Sequence, residues 1–280
     1  MGENMVGEMT YENNGAGALD YLSCGYGQER LHFRGPERNL NDPYGVFIGG
    51  TETYGKFVAR PFPSLVEDHS GLTSVNLGAV NAGVETFRAD PAVLGIARGA
   101  EFVVLQALSP KYVSNSFYAV HPRRNDRFIR ARPALEQLYP QIDFTEFHFV
   151  GHLLRKLKRS SPRAFEKVVQ ECRKAWLTSL IGMIRRIDRP TLVLWLPRVS
   201  ARDGSILPDP FLNERLLEPV RKRCVGVVQV VPDGAAQAAG TLGMVFGQME
   251  AFAAADLPNP RTHQVIAEQI HDRLIKEGVI

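Results

Sequence analysis

Cysteine is scarce in this chain of 280 residues: there are three, at positions 24, 172 and 224. The number is odd and the spacing wide, with no C-x-x-C pair and no zinc pattern. A disulfide framework and a cysteine metal site are therefore excluded, and a reduced, cytoplasmic protein is expected. Cys172 falls on the apolar face of a helical pattern and Cys224 just before an apolar strand, so both read as core. Long hydrophobic runs are missing too. Nothing approaches the roughly 18 apolar residues that span a bilayer, and no membrane partner is expected. Strong charge of one sign is also absent. Lys and Arg number 33 against 30 Asp and Glu, a net +3, too mild for nucleic-acid binding across the whole chain. The opening stretch MGENMVGEMTYENNGAG has neither the basic nor the apolar region of a secretion signal. Val6 breaks the myristoylation pattern that Gly2 would begin. Residues 1–18 are expected to form a flexible leader and residues 19–280 a single domain.

What is present is an ordinary globular composition, 44% hydrophobic and 22% charged, enough to bury a sizeable core. Five short apolar runs, at 46–48, 74–77, 102–106, 191–196 and 225–231, read as parallel strands. The last four are rich in Val and Leu without strict alternation, as strands covered on both faces should be. Helical patterns separate them. The clearest is Pro162–Ile187, which Ser161 and Pro162 start and Asp188-Arg-Pro190 stops. A final helix begins near Pro260 and runs to Lys276. Strands alternating with helices imply a flavodoxin-like three-layer α/β/α sandwich with strand order 2-1-3-4-5 and the ligand crevice beside strand 1.

The first strand runs into Gly49-Gly-Thr-Glu-Thr-Tyr-Gly-Lys-Phe57, which admits two chemistries. Gly50 to Lys56 has the spacing of a phosphate cradle, but Phe57 stands where a Mg²⁺-binding hydroxyl is needed. Alternatively Thr51 is a nucleophile on a turn at the strand end. Two further stretches bear on this choice: Asn76-Leu-Gly-Ala-Val-Asn-Ala-Gly83 after strand 2, and Leu257-Pro-Asn-Pro-Arg-Thr-His263 before the last helix.

Those blocks, in that order around five strands, resemble the SGNH/GDSL hydrolases over about residues 45–275. With Phe33-Arg-Gly-Pro36 and Val120-His-Pro-Arg-Arg-Asn-Asp-Arg-Phe128 the chain resembles an uncharacterised bacterial family of SGNH-like proteins. The resemblance implies Thr51 in the nucleophile position, Gly78 as an oxyanion donor and Asn115 as the nearest candidate for the oxyanion amide. It also shows departures. Gly50 replaces the usual Asp, and the catalytic His and its acid fall on Leu257 and Ala254. Ala107-Leu-Ser-Pro110 stands where Gly-x-Asn-Asp is usual. A hydroxyl nucleophile without a base cannot shed its proton. His263, with Asp256 as its orienting acid, is the substitute base the pattern offers. Packing of His263 within its helix is the alternative. His148 and His152 stand four apart on an expected helix without a third ligand, so no metal is expected, and no cofactor motif is intact.

The stretch after strand 3 carries His121, Arg123 and Arg124, with Arg127, Arg130 and Arg132 beyond, among Phe117, Tyr118 and Phe128. Arginine forks suit carboxylate, sulfate or phosphate, though a charge run is commonly solvated surface. Asn81, Asn115, His121, Arg123 and Arg124 are thus the expected substrate contacts. The expected function is ester hydrolysis or acyl transfer on an anionic or glycan-related small molecule. An inactive binding module for an anionic ligand is the rival, and a nucleotide- or sulfate-donor transferase a third reading. Oligomeric state is not legible.

Overall fold

The computed structural model describes residues 19–27, 31–200 and 205–280. The expected leader lies outside these residues. Strand β1 (Tyr44–Gly49) leads into a one-turn helix α1 (Thr51–Tyr54), then α2 (Phe62–Ser70), β2 (Thr73–Gly78), α3 (Val84–Arg88), α4 (Pro91–Gly99) and β3 (Phe102–Gln106). A hairpin of β4 (Tyr118–Val120) and β5 (Phe128–Ala131) follows, then α5 (Pro133–Leu138), α6 (Val150–Ser160) and α7 (Pro162–Ile187). The chain ends with β6 (Thr191–Trp195), α8 (Glu214–Arg221), β7 (Gly226–Gln229), α9 (Gly234–Ala238), α10 (Ala251–Ala255) and α11 (Pro260–Lys276).

The main sheet is parallel throughout, in the order β2-β1-β3-β6-β7. This is the doubly wound order expected from the alternation of strands and helices. The fifth strand is shorter than its apolar run, though Val225 and Val230 on either side of it still donate to Thr191 O and Trp195 O of β6, at 2.9 and 3.0 Å. Side chains along each strand alternate between two cores, the period of two that a strand imposes. Val46 and Ile48 of β1, Val103 and Leu105 of β3, and Val193 and Trp195 of β6 meet α4, α8 and the second half of α7. Phe47, Phe102, Val104, Leu192 and Leu194 meet α2 and α11 on the other face. There Phe47 sits edge-on to both Phe62 and Phe102, at 6.0 Å between centroids in each case. Each such fully buried side chain contributes on the order of 1.5–3 kcal/mol of hydrophobic stabilisation.

Helix α7 is too long for one core. Its second half, Trp176 to Ile187, covers the sheet. Its first half, Phe165 to Cys172, packs into a third cluster with the β4–β5 hairpin, α5 and α6. The single apolar stripe seen in the sequence thus serves two bodies of packing. Its ends are local chemistry: Ser161 Oγ accepts from Ala164 N–H at 3.2 Å, and Asp188 takes the left-handed conformation at φ 53°. His148 and His152 do not share a helix, since His148 precedes α6; both are exposed.

Candidate active site

The crevice lies where the sheet topology puts it, at the carboxyl ends of β1, β3 and β6. It is a cavity of about 410 Å³, lined by Thr51, Glu52, Asn81, Gln106, Lys111, Asp126, Arg198, Asp209 and Asn213 among others. Trp195 and Leu108 supply part of its apolar wall.

Thr51 reaches the cavity because β1 ends at Gly49 and the chain turns through Gly50 at once into α1. Gln106, the last residue of β3, braces that turn. Its Oε1 accepts from Gly50 N–H at 2.9 Å and from Thr53 Oγ at 2.7 Å, while its Nε2 donates to Glu52 Oε2 at 3.0 Å. Arg34, buried and over the Tyr21 ring, donates to the carbonyls of Gly55 and Ala59, each at 2.8 Å. That is the role of the Phe-Arg-Gly-Pro block, to which the sequence attached no chemistry. Burial lowers the Arg34 pKa, with Tyr54 and Tyr21 opposing.

The second block is a brace as well. Asn76 Nδ2 donates to Thr53 O at 2.9 Å, and Asn76 Oδ1 accepts from Gly78 N–H at 2.8 Å. Gly78 does not line the cavity. A Cβ there would stand 2.3 Å from Tyr54 N, so the position needs glycine because the α1 backbone crosses it. The expected oxyanion donor is therefore engaged within the sheet edge. Asn81 does reach the site. It is held at φ 59°, and its N–H donates to Thr51 Oγ at 3.2 Å.

His263 lies elsewhere. It is 1% exposed in α11, stacked on Phe62, and its Nδ1 accepts from Phe62 N–H at 3.0 Å. Burial, with the Arg34 charge as a lesser cause, holds its pKa down at about 3. It is a neutral core histidine, and it caps the start of α2. Leu257 and Asp256 line a separate cavity of about 280 Å³ beyond Glu52. Asn115 is buried in an Asx turn, its Oδ1 accepting from Phe117 and Tyr118 N–H at 2.9 and 3.1 Å. His121 Nδ1 accepts from Arg123 and Arg124 N–H at 3.2 and 3.1 Å. Both arginines are exposed and outside the cavity lining. Of the expected contacts, the structure brings together Thr51 and Asn81. Lys56 also turns away from any phosphate cradle, pairing with Glu250 at 3.0 Å.

Asp126 lies in the same arginine-rich stretch as Arg123 and Arg124 and was not among the expected site residues. It sits in the cavity wall next to Asn125, whose N–H donates to Asn81 O at 3.1 Å. Its Oδ1 is buried without a hydrogen-bond partner among the described residues. Desolvation raises its pKa, opposed by a hydrogen bond from its own backbone N–H and then by the Arg127, Arg124 and His121 charges. Gln106 had a signal that passed unused: a polar residue closing a buried strand at the ligand edge.

A family model described as a domain of unknown function, DUF6473, matches residues 9–278. The chain belongs to this family. No curated protein matches the sequence. Among solved structures the DUF6473 chain is similar to the lipase Lip_vut3 from a goat rumen metagenome. Identity is 9%, over 83% of this chain and 97% of that one, with a TM-score of 0.43. It is also similar to the salicylyl-acyltransferase SsfX3 of a tetracycline biosynthetic pathway, at 12% identity over 87% and 58% of the two chains and a TM-score of 0.39. A candidate GDSL-like lipase from Parabacteroides merdae shares 12% identity over 88% and 100%, at a TM-score of 0.36. These likenesses are loose.

Proposed function

We propose that the cavity carries out acyl-group chemistry, hydrolysing an ester or transferring its acyl group, with Thr51 as nucleophile and Asp126 as the base. One observation carries the reading. A hydroxyl on a braced turn and a half-buried carboxylate, one of whose oxygens has no hydrogen-bond partner among the described residues, share one cavity at the switch point of the sheet. A carboxyl with a raised pKa is a better proton acceptor than an ordinary surface one. In the step proposed, Thr51 Oγ adds to the ester carbonyl carbon while its proton passes to Asp126, directly or through one water. The alcohol then leaves with that proton, and a water or a second alcohol releases the acyl group. On this reading Lys111 and Arg198, which line the cavity, meet an anionic substrate in place of Arg123 and Arg124.

The test is a panel of aryl, sugar and phosphorylated esters with three variants. Thr51→Ala abolishes turnover, Thr51→Ser keeps or raises it by removing the obstructing methyl, and Asp126→Asn lowers kcat by about 10²–10⁴. If neither wild type nor Thr51→Ser cleaves any member, the acyl reading falls.

A binding module for an anionic ligand is the second reading, and one observation favours it. Thr51 Oγ already accepts from Asn81, and among the described residues no histidine lines the cavity. On that reading Lys111→Ala and Arg198→Ala abolish a ligand-induced thermal shift, while Thr51→Ala leaves it intact.

A further inference from the structure

The small net charge of the chain conceals an uneven distribution. Between residues 121 and 167 there are eleven Lys and Arg against five Asp and Glu, a local +6 within a total of +3, so the remainder carries −3. This segment is also a unit of packing. The β4–β5 hairpin, α5, α6 and the start of α7 close their own apolar cluster, which includes Tyr118, Phe128, Leu153 and Phe165. Hairpin and helix are tied where Phe128 N–H donates to His148 O at 3.0 Å and Val150 N–H to Asp126 O at 2.9 Å.

All eleven cations are exposed. Arg123 aside, none lies within salt-bridge distance of a carboxylate among the described residues. Helix α6 buries Val150, Leu153, Leu154 and Leu157, so Arg155, Lys156 and Arg159 share its outer face. Two large apolar side chains in the same unit are exposed. Ile129 is 51% exposed and Phe149 47%, with the Arg127 guanidinium 5.2 Å over the Phe149 ring.

We propose that this unit docks the protein on an anionic lipid surface, its cations meeting headgroup phosphates and Ile129 and Phe149 entering the interface. Each Lys or Arg near such a surface contributes on the order of 1 kcal/mol. The α6 cations Arg155, Lys156, Lys158 and Arg159 break no salt bridge among the described residues when they turn to headgroups. The apolar pair favours lipid over other polyanions. Isoleucine offers no ring face to a nucleobase and no hydrogen bond to a glycan, whereas the headgroup–acyl boundary accepts both it and phenylalanine. The inference is independent of the cavity chemistry.

The full chain is sedimented with phosphatidylcholine vesicles, with and without phosphatidylglycerol, at low and high salt. Binding is expected only with phosphatidylglycerol and is lost at high salt. Arg155→Gln, Lys156→Gln, Lys158→Gln and Arg159→Gln combined lower vesicle affinity about tenfold or more. Arg127→Gln with Arg130→Gln lowers it in the same direction, which serves if the helix variant unfolds. Ile129→Ser with Phe149→Ser weakens vesicle binding severalfold and leaves binding to heparin unchanged. Equal sedimentation with neutral vesicles, or no loss in either charge variant, overturns the proposal. So does capture of heparin or duplex DNA without any of the vesicles.

Discussion

The turn after β1 and the loop between β4 and β5 both reach the cavity, and their polar groups are disposed in opposite ways. In the turn, Gly50, Glu52 and Thr53 are tied to Gln106, Asn76 bridges Thr53 and Gly78, and Lys56 meets Glu250. In the loop, Arg124 is exposed and Arg127 lies over the Phe149 ring, while Asp126 keeps an oxygen buried without a partner among the described residues. The glycine-rich block that dominates the sequence is therefore mostly a scaffold that presents one hydroxyl. The loop, which looks like surface, supplies the group whose burial costs stability. Natural proteins tolerate such a cost where a site needs it.

The largest stability loss should come from the scaffold. Gly78→Ala drives a methyl into the Thr53–Tyr54 backbone and should destabilise by about 3 kcal/mol or more. In urea, Gly95→Ala is the control: nothing lies within 4 Å of an added Cβ in α4, so that variant should be neutral or slightly stabilising. If both behave alike, the close crossing of α1 over β2 is wrong.

Next in size is Gln106→Leu, which strands Gly50 N–H, Thr53 Oγ and one Glu52 oxygen together. A loss of about 2–3 kcal/mol is expected by chemical denaturation, and Thr51 chemistry should fall with it. Retained stability would mean that the turn stands without its brace.

His263 tests the body of the sheet against acid. Its native pKa of about 3 lies below the ordinary histidine value, so the unfolded chain binds more protons between those values. The stabilisation is complete above about pH 6.5 and drains away as pH falls toward 3, amounting to about 2 kcal/mol between pH 7 and pH 5. His263→Asn keeps an acceptor for Phe62 N–H without a titrating ring, and its stability should vary less with pH over that window. An unchanged pH profile would place the histidine in solvent.

The smallest effect belongs to the loop and has the opposite sign. The raised pKa of Asp126 means that the native state holds its proton above the pH at which the unfolded chain releases it. Stability therefore declines as pH climbs through that interval. Asp126→Asn should melt higher than wild type at neutral pH, with the difference vanishing below about pH 4. A lower melting temperature at pH 7 would show the carboxylate to be paired and would remove it as the base.

Much of the architecture was legible because it is written locally. Helices α7 and α11 begin at Ser161-Pro162 and Asn259-Pro260, where a side-chain cap precedes a proline at the first helical position. Five apolar runs separated by helical patterns leave few right-handed topologies, and the strand order followed. The site was less legible. Thr51 and Asn81 were in view because a strand end and a turn place them. Whether Gly78 offers its N–H or His263 its ring depends on what each meets across the fold, and spacing along the chain does not contain that.

Periodicity, caps and turn residues, all set within a few positions, determined from the sequence where strands and helices lie and at which sheet edge a ligand would sit. Only the tertiary structure decided which polar groups remain available there. Gln106 reaches back to Gly50 from 56 residues away and His263 to Phe62 from 201, and Asp126 loses water to walls contributed by several separate segments. Desolvation and hydrogen-bond pairing belong to the assembled surroundings of a side chain, and those exist only once the chain has folded.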